Sequence, residues 1–325
     1  AMAKNSDYAL NPVPREITRR GWVLLGIVAA VALGILAFVL YFYDAEGGSR
    51  VNGGVGTTSA SGLIATLDPQ AVDPGSGKAT IHLVFTPQGA GLVDDKGRMV
   101  ANARVVVVSS LGVQEAKFMA GDPVGQFDAV IGIDGEEANY PFDVHTGFLD
   151  ISAETFVVDP DGSEVSGDEV AIGVQGLGGV NGWDTTMDLD SGMSTTPFAV
   201  VTFHRAFSTQ VFALLLLGLS VILALCSVVA GVLVGSNRRR LEVTMLSWAA
   251  ALLFALPLLR NYLPNAPPVG ASIDIYVYLW VIVAAVTGLV MLVVAWIRQK
   301  RAELLHDAAQ RAAAAPPREP GGAPR

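Results

Sequence analysis

Four long apolar runs dominate the hydrophobic pattern of the chain. They cover residues 22–43, 207–236, 243–259 and 275–297. A helix needs about 20 apolar residues to cross the hydrocarbon core of a bilayer, so we predict four transmembrane helices, called spans one to four. The first run is roughly twice as long as the apolar core of a secretory signal, which favours an uncleaved anchor.

Between spans one and two, the pattern changes to short alternating runs separated by turn residues. β-branched and aromatic residues in alternation are typical of strands. The predicted strands are 61–67, 78–85, 103–110, 126–133, 148–158, 169–175, 183–189 and 197–205. Strands without helical periods predict an all-β, β-sandwich-like domain within 44–206. The Gly- and Ser-rich residues 45–61 predict a flexible linker, and the Gly-rich residues 172–183 predict a mobile loop.

Three clusters of basic residues agree on one orientation. They precede span one, form the turn 237–242 between spans two and three, and follow span four. These residues are Arg19 and Arg20; Arg238, Arg239 and Arg240; and Arg298, Lys300 and Arg301. The positive-inside rule therefore predicts a multi-pass protein of the inner (plasma) membrane, with cytoplasmic tails at 1–21 and 298–325. The β domain is then periplasmic or extracytoplasmic.

Charge and composition narrow the classes of partner. Only 16% of residues are charged and the mean hydropathy is +0.47, as expected for a chain partly in lipid. Residues 44–206 hold 23 of the 30 acidic residues but 7 of the 21 basic ones. An acidic domain argues against a nucleic-acid partner, because phosphate binding needs clustered Lys and Arg. The single cysteine, Cys226, excludes an internal disulfide.

No pattern in the β domain predicts catalysis or metal binding. His82, His145 and His204 lie on different predicted strands without metal-ligand spacing. The acidic residues between 159 and 169 are interpreted as a solvated hairpin turn, since Glu164 occupies the position where a calcium loop needs Gly. Nucleophile-elbow, HExxH and P-loop motifs do not occur. We therefore expect a protein that is not an enzyme and has no catalytic residues, cofactor or metal.

The stretch "LLRNYLPNAPPVGASIDIYVYLW", residues 258–280, forms the outer connector between spans three and four. Prolines cannot continue a helix and glycine permits a turn, so a stiff, shaped connector is predicted over 260–274. Arg260 and Asp274 end the two spans and are placed to form a salt bridge. Alternatively, Arg260 faces a polar path or a lipid headgroup. The candidate interaction residues are Arg260, Asn261, Pro264, Pro267, Pro268, Gly270 and Asp274.

A second candidate stretch is "YPFD", Tyr140 to Asp143. Pro141 sets the start of a strand, and an extended chain directs Tyr140 and Phe142 to opposite faces. One interpretation is a strand start with one buried aromatic ring. The other is a contact surface for a partner, with Tyr140, Pro141 and Asp143 as candidate residues.

The connector sequence, the "YPFD" stretch and the order of one span, an external β domain and three further spans carry a resemblance. Together they resemble the "domain of unknown function 4436" family of actinobacterial membrane proteins, over roughly residues 22–301. The family implies no activity. A weaker similarity is to an accessory subunit of the mycobacterial Mce (mammalian cell entry) fatty-acid importer, which implies a place in the cell envelope and in lipid transport.

These patterns lead to a functional hypothesis. We expect a non-enzymatic integral membrane protein that acts as an accessory or stabilising subunit of a membrane complex, specifically a Mce-type lipid transporter. Its partners are other membrane proteins and membrane lipid, and Gly218, Gly231, Gly235 and residues 249–251 allow close helix approach. The alternative is a lipid- or ligand-binding or sensing protein that holds lipid between the β domain and the connector. An envelope hydrolase or a standalone transporter is disfavoured.

Overall fold

Strands and helices are described here from a computed structural model. The structure describes residues 53–54, 62–89, 91–189, 193–194, 196–265 and 267–314. Of span one it describes six residues, all helical: Val23, Ala30, Leu33, Gly34, Ala37 and Tyr41. The rest of span one, and the linker 45–61 apart from Gly53 and Gly54, lie outside the described residues. The chain divides into the units 1–48 and 49–325, and all that follows concerns the second unit.

The β domain contains 12 strands within the described residues. Their bounds are β1 Gly53–Gly54, β2 Gly62–Asp73, β3 Lys78–Gln88, β4 Ala103–Ser109, β5 Gly112–Phe118, β6 Gln126–Gly135, β7 Val144–Val158, β8 Glu164–Val170, β9 Ile172–Gly176, β10 Trp183–Leu189, β11 Met193–Ser194 and β12 Phe198–Arg205. The predicted all-β domain is therefore present.

Two sheets meet along strand β6. The first sheet has the order β1-β9-β2-β3-β6, and the second has the order β10-β12-β7-β4-β5, with β8 also paired to β7. Strand β6 pairs with β3 through residues 126–132 and with β7 through residues 133–135. Alternate side chains of both sheets share one apolar core that includes Leu63, Ile131, Ile151 and Val201. Alternation along each strand thus produces one inner and one outer face.

Four strands were not predicted, namely the two-residue strands β1 and β11 and the longer strands β5 and β8, and one predicted strand is divided. Strands β5, "GVQEAKF", and β8, "EVSGDEV", lie at sheet edges with most residues at least partly exposed, so their apolar alternation is weak. The predicted strand 169–175 spans the end of β8 and the start of β9. The expected mobile loop 172–183 is wrong at its start, because residues 172–176 form the largely buried strand β9, parallel to β2.

Three helices follow the β domain. They are α1, Phe207–Gly235; α2, Val243–Asn261; and α3, Leu279–Ala314, which continues a π-helical turn over Asp274–Tyr278. All three are long and apolar enough to cross a membrane. Helix α2 runs through Pro257 and ends two residues beyond the predicted span three. Helix α3 extends past residue 297 to Ala314, through a segment that is rich in good helix formers.

Small residues let α1 and α3 pack closely. The buried positions of α1 recur every three or four residues, and so do those of α3 at Val281, Ala285, Gly288, Leu292 and Ala295. This spacing is that of two helices with a continuous shared seam. A Cβ atom on Gly288 would lie 2.5 Å from the carbonyl carbon of Ser227 and 2.6 Å from its oxygen. Gly288 is therefore required by the backbone of α1.

The contact between α1 and α3 shows that not all of the small residues expected to contact a partner helix are available for it. Gly231 lies against Met291 and Gly288 of α3, so its small size serves packing within the chain. Ala249 is also buried within the bundle. By contrast, nothing lies within 4 Å of a Cβ atom built on Gly218 or Gly235. Only these two of the predicted glycines leave the helix surface open for a partner.

Substitution of Gly288 by Ala should destabilise the helical bundle. The added methyl group meets the backbone of α1, and overpacking of this kind costs about 1–3 kcal/mol. Gly218→Ala is the matched control, because its methyl group enters open space and alanine favours the helix. Thermal unfolding of the detergent-solubilised protein should show a lower midpoint for G288A and an unchanged or higher one for G218A. Equal midpoints would contradict the tight α1–α3 seam.

Candidate functional site at the base of the β domain

Strand β12 carries an arginine into the core at the end of the domain nearest the helices. Ala199, Val201 and Phe203 point inward by strand alternation, and Arg205 continues the series. Arg205 is only 4% exposed, and α1 begins two residues later at Phe207. The strand pattern alone therefore places a buried charge where the β domain joins the membrane helices.

Asp143 neutralises this arginine through two hydrogen bonds. Nε of Arg205 donates to Oδ1 of Asp143 at 2.8 Å, and Nη2 donates to Oδ2 at 3.0 Å. Nε2 of His145 lies 2.9 Å from Oδ2 of the same carboxylate. Burial alone raises the pKa of Asp143, but the hydrogen bonds from His145 and Arg205 and the arginine charge outweigh it and hold that pKa below its ordinary value.

Two aromatic rings enclose the guanidinium group. The Cζ atom of Arg205 lies 4.4 Å from the centre of the Trp183 ring and 4.7 Å from that of Tyr140. Trp183 is placed by register, since it pairs with Arg205 between β10 and β12, and His145 meets it edge-on. Cation–π contacts strengthen when the cation is removed from water. We call Tyr140, Asp143, His145, Trp183 and Arg205 the base cluster.

The base cluster holds the outer connector. Oη of Tyr140 donates to the carbonyl oxygen of Pro264 at 3.1 Å, and Nη1 of Arg205 reaches the same oxygen at 3.4 Å. The Tyr140 ring also packs with buried residues of α1 and of the connector, including Leu217 and Leu263. Burial raises the pKa of Tyr140 to about 12, so its hydroxyl remains a donor. One carbonyl thus joins the β domain to the loop between α2 and α3.

The structure answers the question raised by "YPFD". Tyr140 is 2% exposed and Phe142 is 60% exposed, so the two rings do point to different environments. The Tyr140–Pro141 peptide bond is cis, and β7 begins at Val144. Tyr140 and Asp143 contact other parts of this same chain, which agrees with the interpretation as a strand start with one buried aromatic.

Arg260 and Asp274 form the expected ion pair across the connector. Nε and Nη2 of Arg260 donate to the two carboxylate oxygens of Asp274 at 3.1 and 2.8 Å. Nη2 also donates to the carbonyl oxygens of Pro267 and Pro268 at 2.8 and 3.2 Å. The backbone N–H of Gly270, whose φ is +100°, donates to Asp274 at 2.9 Å. Arg260 therefore binds its own connector.

The remaining predicted residues are placed separately. Asn261 is the exposed last residue of α2. Arg19 and Arg20 lie outside the described residues. The other basic residues, Arg238, Arg239, Arg240, Arg298, Lys300 and Arg301, are all exposed. The backbone N–H of Leu241 donates to Oε1 of Gln299 at 3.3 Å, so the turn after α1 and the basic segment of α3 lie at the same end of the bundle.

A cavity of about 350 Å³ lies between the base cluster and the connector. Its walls come from the β2–β3 turn, the segment before β7, and the connector. They include Asp73, Glu137, Arg205, Asn265 and Pro268. Within the part of the chain that the structure describes, no three His, Cys, Asp or Glu side chains are placed to hold a metal ion.

The sequence analysis did not identify Arg205 and Trp183 of the base cluster, nor the cavity residues Asp73, Glu137 and Asn265. Strand alternation in 197–205 is enough to direct Arg205 inward. Trp183 begins a correctly predicted strand, but its meeting with Arg205 depends on register between strands. Register of that kind cannot be read from one strand alone.

Loss of the Asp143 charge should destabilise the base cluster. Asp143→Asn leaves Arg205 buried without its counter-charge, and breaking a buried pair costs about 3–5 kcal/mol. The matched control is Glu303→Gln, because the Lys300–Glu303 pair is exposed and such pairs contribute little. Unfolding in detergent, followed by tryptophan fluorescence, should show a large loss of stability for D143N. A loss no larger than that of E303Q would contradict the proposed coupling.

The Asp143 contribution should also depend on pH. Its folded-state pKa lies below the ordinary value of 3.8, so its stabilisation is present above pH 3.8 and disappears as pH falls through the folded pKa. The stability difference between wild type and D143N should therefore be constant near neutrality and shrink below about pH 4. A difference that does not change between pH 7 and pH 3 would contradict an ionised Asp143.

Two protein-family models match adjacent parts of the chain. Residues 54–203 match the family described as "Domain of unknown function (DUF4436)", and residues 205–299 match "Domain of unknown function (DUF8686)". The boundary falls at the end of β12, directly before α1, and the connector sequence lies in the second match. No curated protein matches the chain. The β domain therefore matches the DUF4436 family model, whereas the helices and the connector match a different one.

Proposed function

We propose that this protein is a non-enzymatic accessory or stabilising subunit of a larger membrane complex. The observation that supports it is the base cluster, which fixes an external β domain to a bundle of apolar helices. Only Ala206 separates the last strand from α1, and the Pro264 carbonyl joins the same cluster to the connector. A domain held at several points moves with its helices, as a brace must.

The bundle has surfaces on which partner helices can dock. Helix α2 has only three buried residues, Ala249, Leu252 and Leu256, and Phe254 and Leu258 are exposed. In a bilayer these side chains meet lipid or other helices. The open surfaces at Gly218 and Gly235 permit the close backbone approach that favours helix association in membranes. Lateral docking is therefore the proposed mode of assembly.

The proposed assembly is a lipid transporter of the Mce type in an actinobacterial cell envelope. Its basis is the similarity of the sequence to an accessory subunit of a Mce importer. We further propose four spans with both termini in the cytoplasm. The shared location of the 238–240 and 298–301 clusters at one end of the bundle supports this orientation.

The cavity supports a second candidate function. It lies between the base of the β domain and the connector, where the sequence suggested that lipid could be held. A cavity of about 350 Å³ falls within the range of small-ligand sites. In this alternative the protein binds or senses a lipid or another ligand, and the stiff connector forms one wall of the binding site.

Purification from native membranes in mild detergent tests the proposed assembly. We expect the full-length protein to elute with partner membrane proteins, identified by mass spectrometry, at a mass well above its own 34.0 kDa plus the micelle. The Gly288→Ala variant should lose those partners only in proportion to its loss of folded protein. A wild-type protein that elutes alone would contradict the accessory role.

Variants of the connector separate the two candidates. Arg260→Ala with Asp274→Asn removes the ion pair that shapes the cavity wall. Loss of co-purifying lipid with partners retained would favour the binding role. Loss of partners and lipid together would favour assembly as the primary role. Lys300→Ala with Glu303→Gln removes an exposed ion pair elsewhere and is the control.

A further inference from the structure

The outer face of the second sheet presents an apolar band. Val113 on β5 pairs with Val108 on β4, Asp150 on β7 links Val108 to Phe198 on β12, and Phe148 on β7 pairs with Val200 on β12. We call Val108, Val113, Phe148, Phe198 and Val200 the outer band. All five point away from the core by alternation, and Val108, Val113, Phe148 and Phe198 are each at least 37% exposed.

The side chains of the outer band are large, apolar and exposed. Phe148 and Phe198 are each 42% exposed, and their ring centres lie 6.2 Å apart. Val113 is 68% exposed and Val108 lies beside it. Contiguous apolar patches that include paired aromatic rings mark interaction sites on folded proteins. The band therefore has the composition of an interface centre.

Distance from the helices argues against lipid as the occupant. Phe198 lies seven residues before Arg205, which corresponds to roughly 23 Å along an extended strand. A headgroup layer adds only about 5–8 Å to each side of the hydrocarbon core. Even for a strand tilted by 45°, the height is about 16 Å. The outer band therefore lies above the headgroups, where water or another protein is its neighbour.

The charges around the outer band indicate what kind of protein surface is complementary to it. The carboxylates of Asp150 and Asp188 share this face with the outer band. The basic residues of the same face, Arg104 and Lys117, are already held by Glu154 and Glu164. A second copy of this chain would set aspartates against aspartates, and like charges in an interface are unfavourable. A partner with lysine or arginine around an apolar centre is complementary.

We propose that the outer band binds the external domain of a different protein, which presents an apolar patch bordered by Lys or Arg. This inference rests on the proposed accessory role and assigns one face of the β domain to it. The helices then dock in the membrane, and the outer band docks above it.

Site-specific photo-crosslinking in native membranes tests the proposal. Thr146 lies on the same face two residues from Phe148 and is replaced by p-benzoyl-L-phenylalanine in the full-length chain. Thr86, exposed on the outer face of the first sheet, receives the same probe as the control position. We expect one cross-linked protein from position 146, none from position 86, and a cross-linked peptide that contains Lys or Arg.

Charge reversal then tests the proposed chemistry. Asp150→Lys with Asp188→Lys should lower the yield of that cross-link at least fivefold, whereas Asp95→Lys with Asp122→Lys makes the same charge change in loops and should leave it unchanged. The thermal midpoints of both variants should match wild type, so that folding does not account for the loss.

Three results would overturn the proposal. They are a cross-link to a second copy of this chain, a cross-link to lipid or to nothing, and a protein cross-link that is insensitive to D150K with D188K. The accessory role is judged separately by co-purification. Partners that co-purify without any cross-link from position 146 would leave that role intact and remove the outer band from the interface.

Discussion

The buried ion pair between Arg205 and Asp143 determines how the two halves of the protein meet. Removing both charges from water is costly, and buried pairs are often no more stabilising than an apolar core of the same shape. Here the arginine is stacked between two rings, and it also reaches the connector carbonyl. The directional demands of a guanidinium group fix positions that an apolar contact would leave free. The pair therefore contributes orientation at the junction as much as stability.

The helical bundle and the connector are each held in one conformation, but by different interactions. Between α1 and α3, close approach is achieved by removing side chains, with Gly231 and Gly288 facing each other's helices. At the connector, prolines remove backbone donors, and Arg260 satisfies the carbonyl oxygens of Pro267 and Pro268. Both devices limit the conformations that are open to the chain. The β domain thus rests on a surface that is already shaped.

Local sequence patterns predicted the helices and strands better than they predicted the contacts between them. Apolar run length located α1, α2 and α3 to within a few residues, except for the extension of α3. Strand alternation located seven strands, with the same bounds for β10 and with the end of β2 placed six residues too early. Strands β5 and β8 were missed because edge strands with two polar faces have no clear period. The Arg260–Asp274 pair was predictable because the two residues end adjacent spans. The Arg205 stack was not, since it needs three segments that are remote in sequence.

The π-helical turn and α3 together form a helix that is longer than a bilayer is thick. The apolar and basic parts form one helix of 38 residues over Asp274–Arg311, which corresponds to about 57 Å, whereas a hydrocarbon core is about 30 Å thick. Asp274, which is paired with Arg260, lies at one end of this helix, and the exposed segment with Leu304 and Leu305 lies near the other. A helix of this length that crosses a bilayer projects well beyond the hydrocarbon core, so the segment with Leu304 and Leu305 stands outside that core.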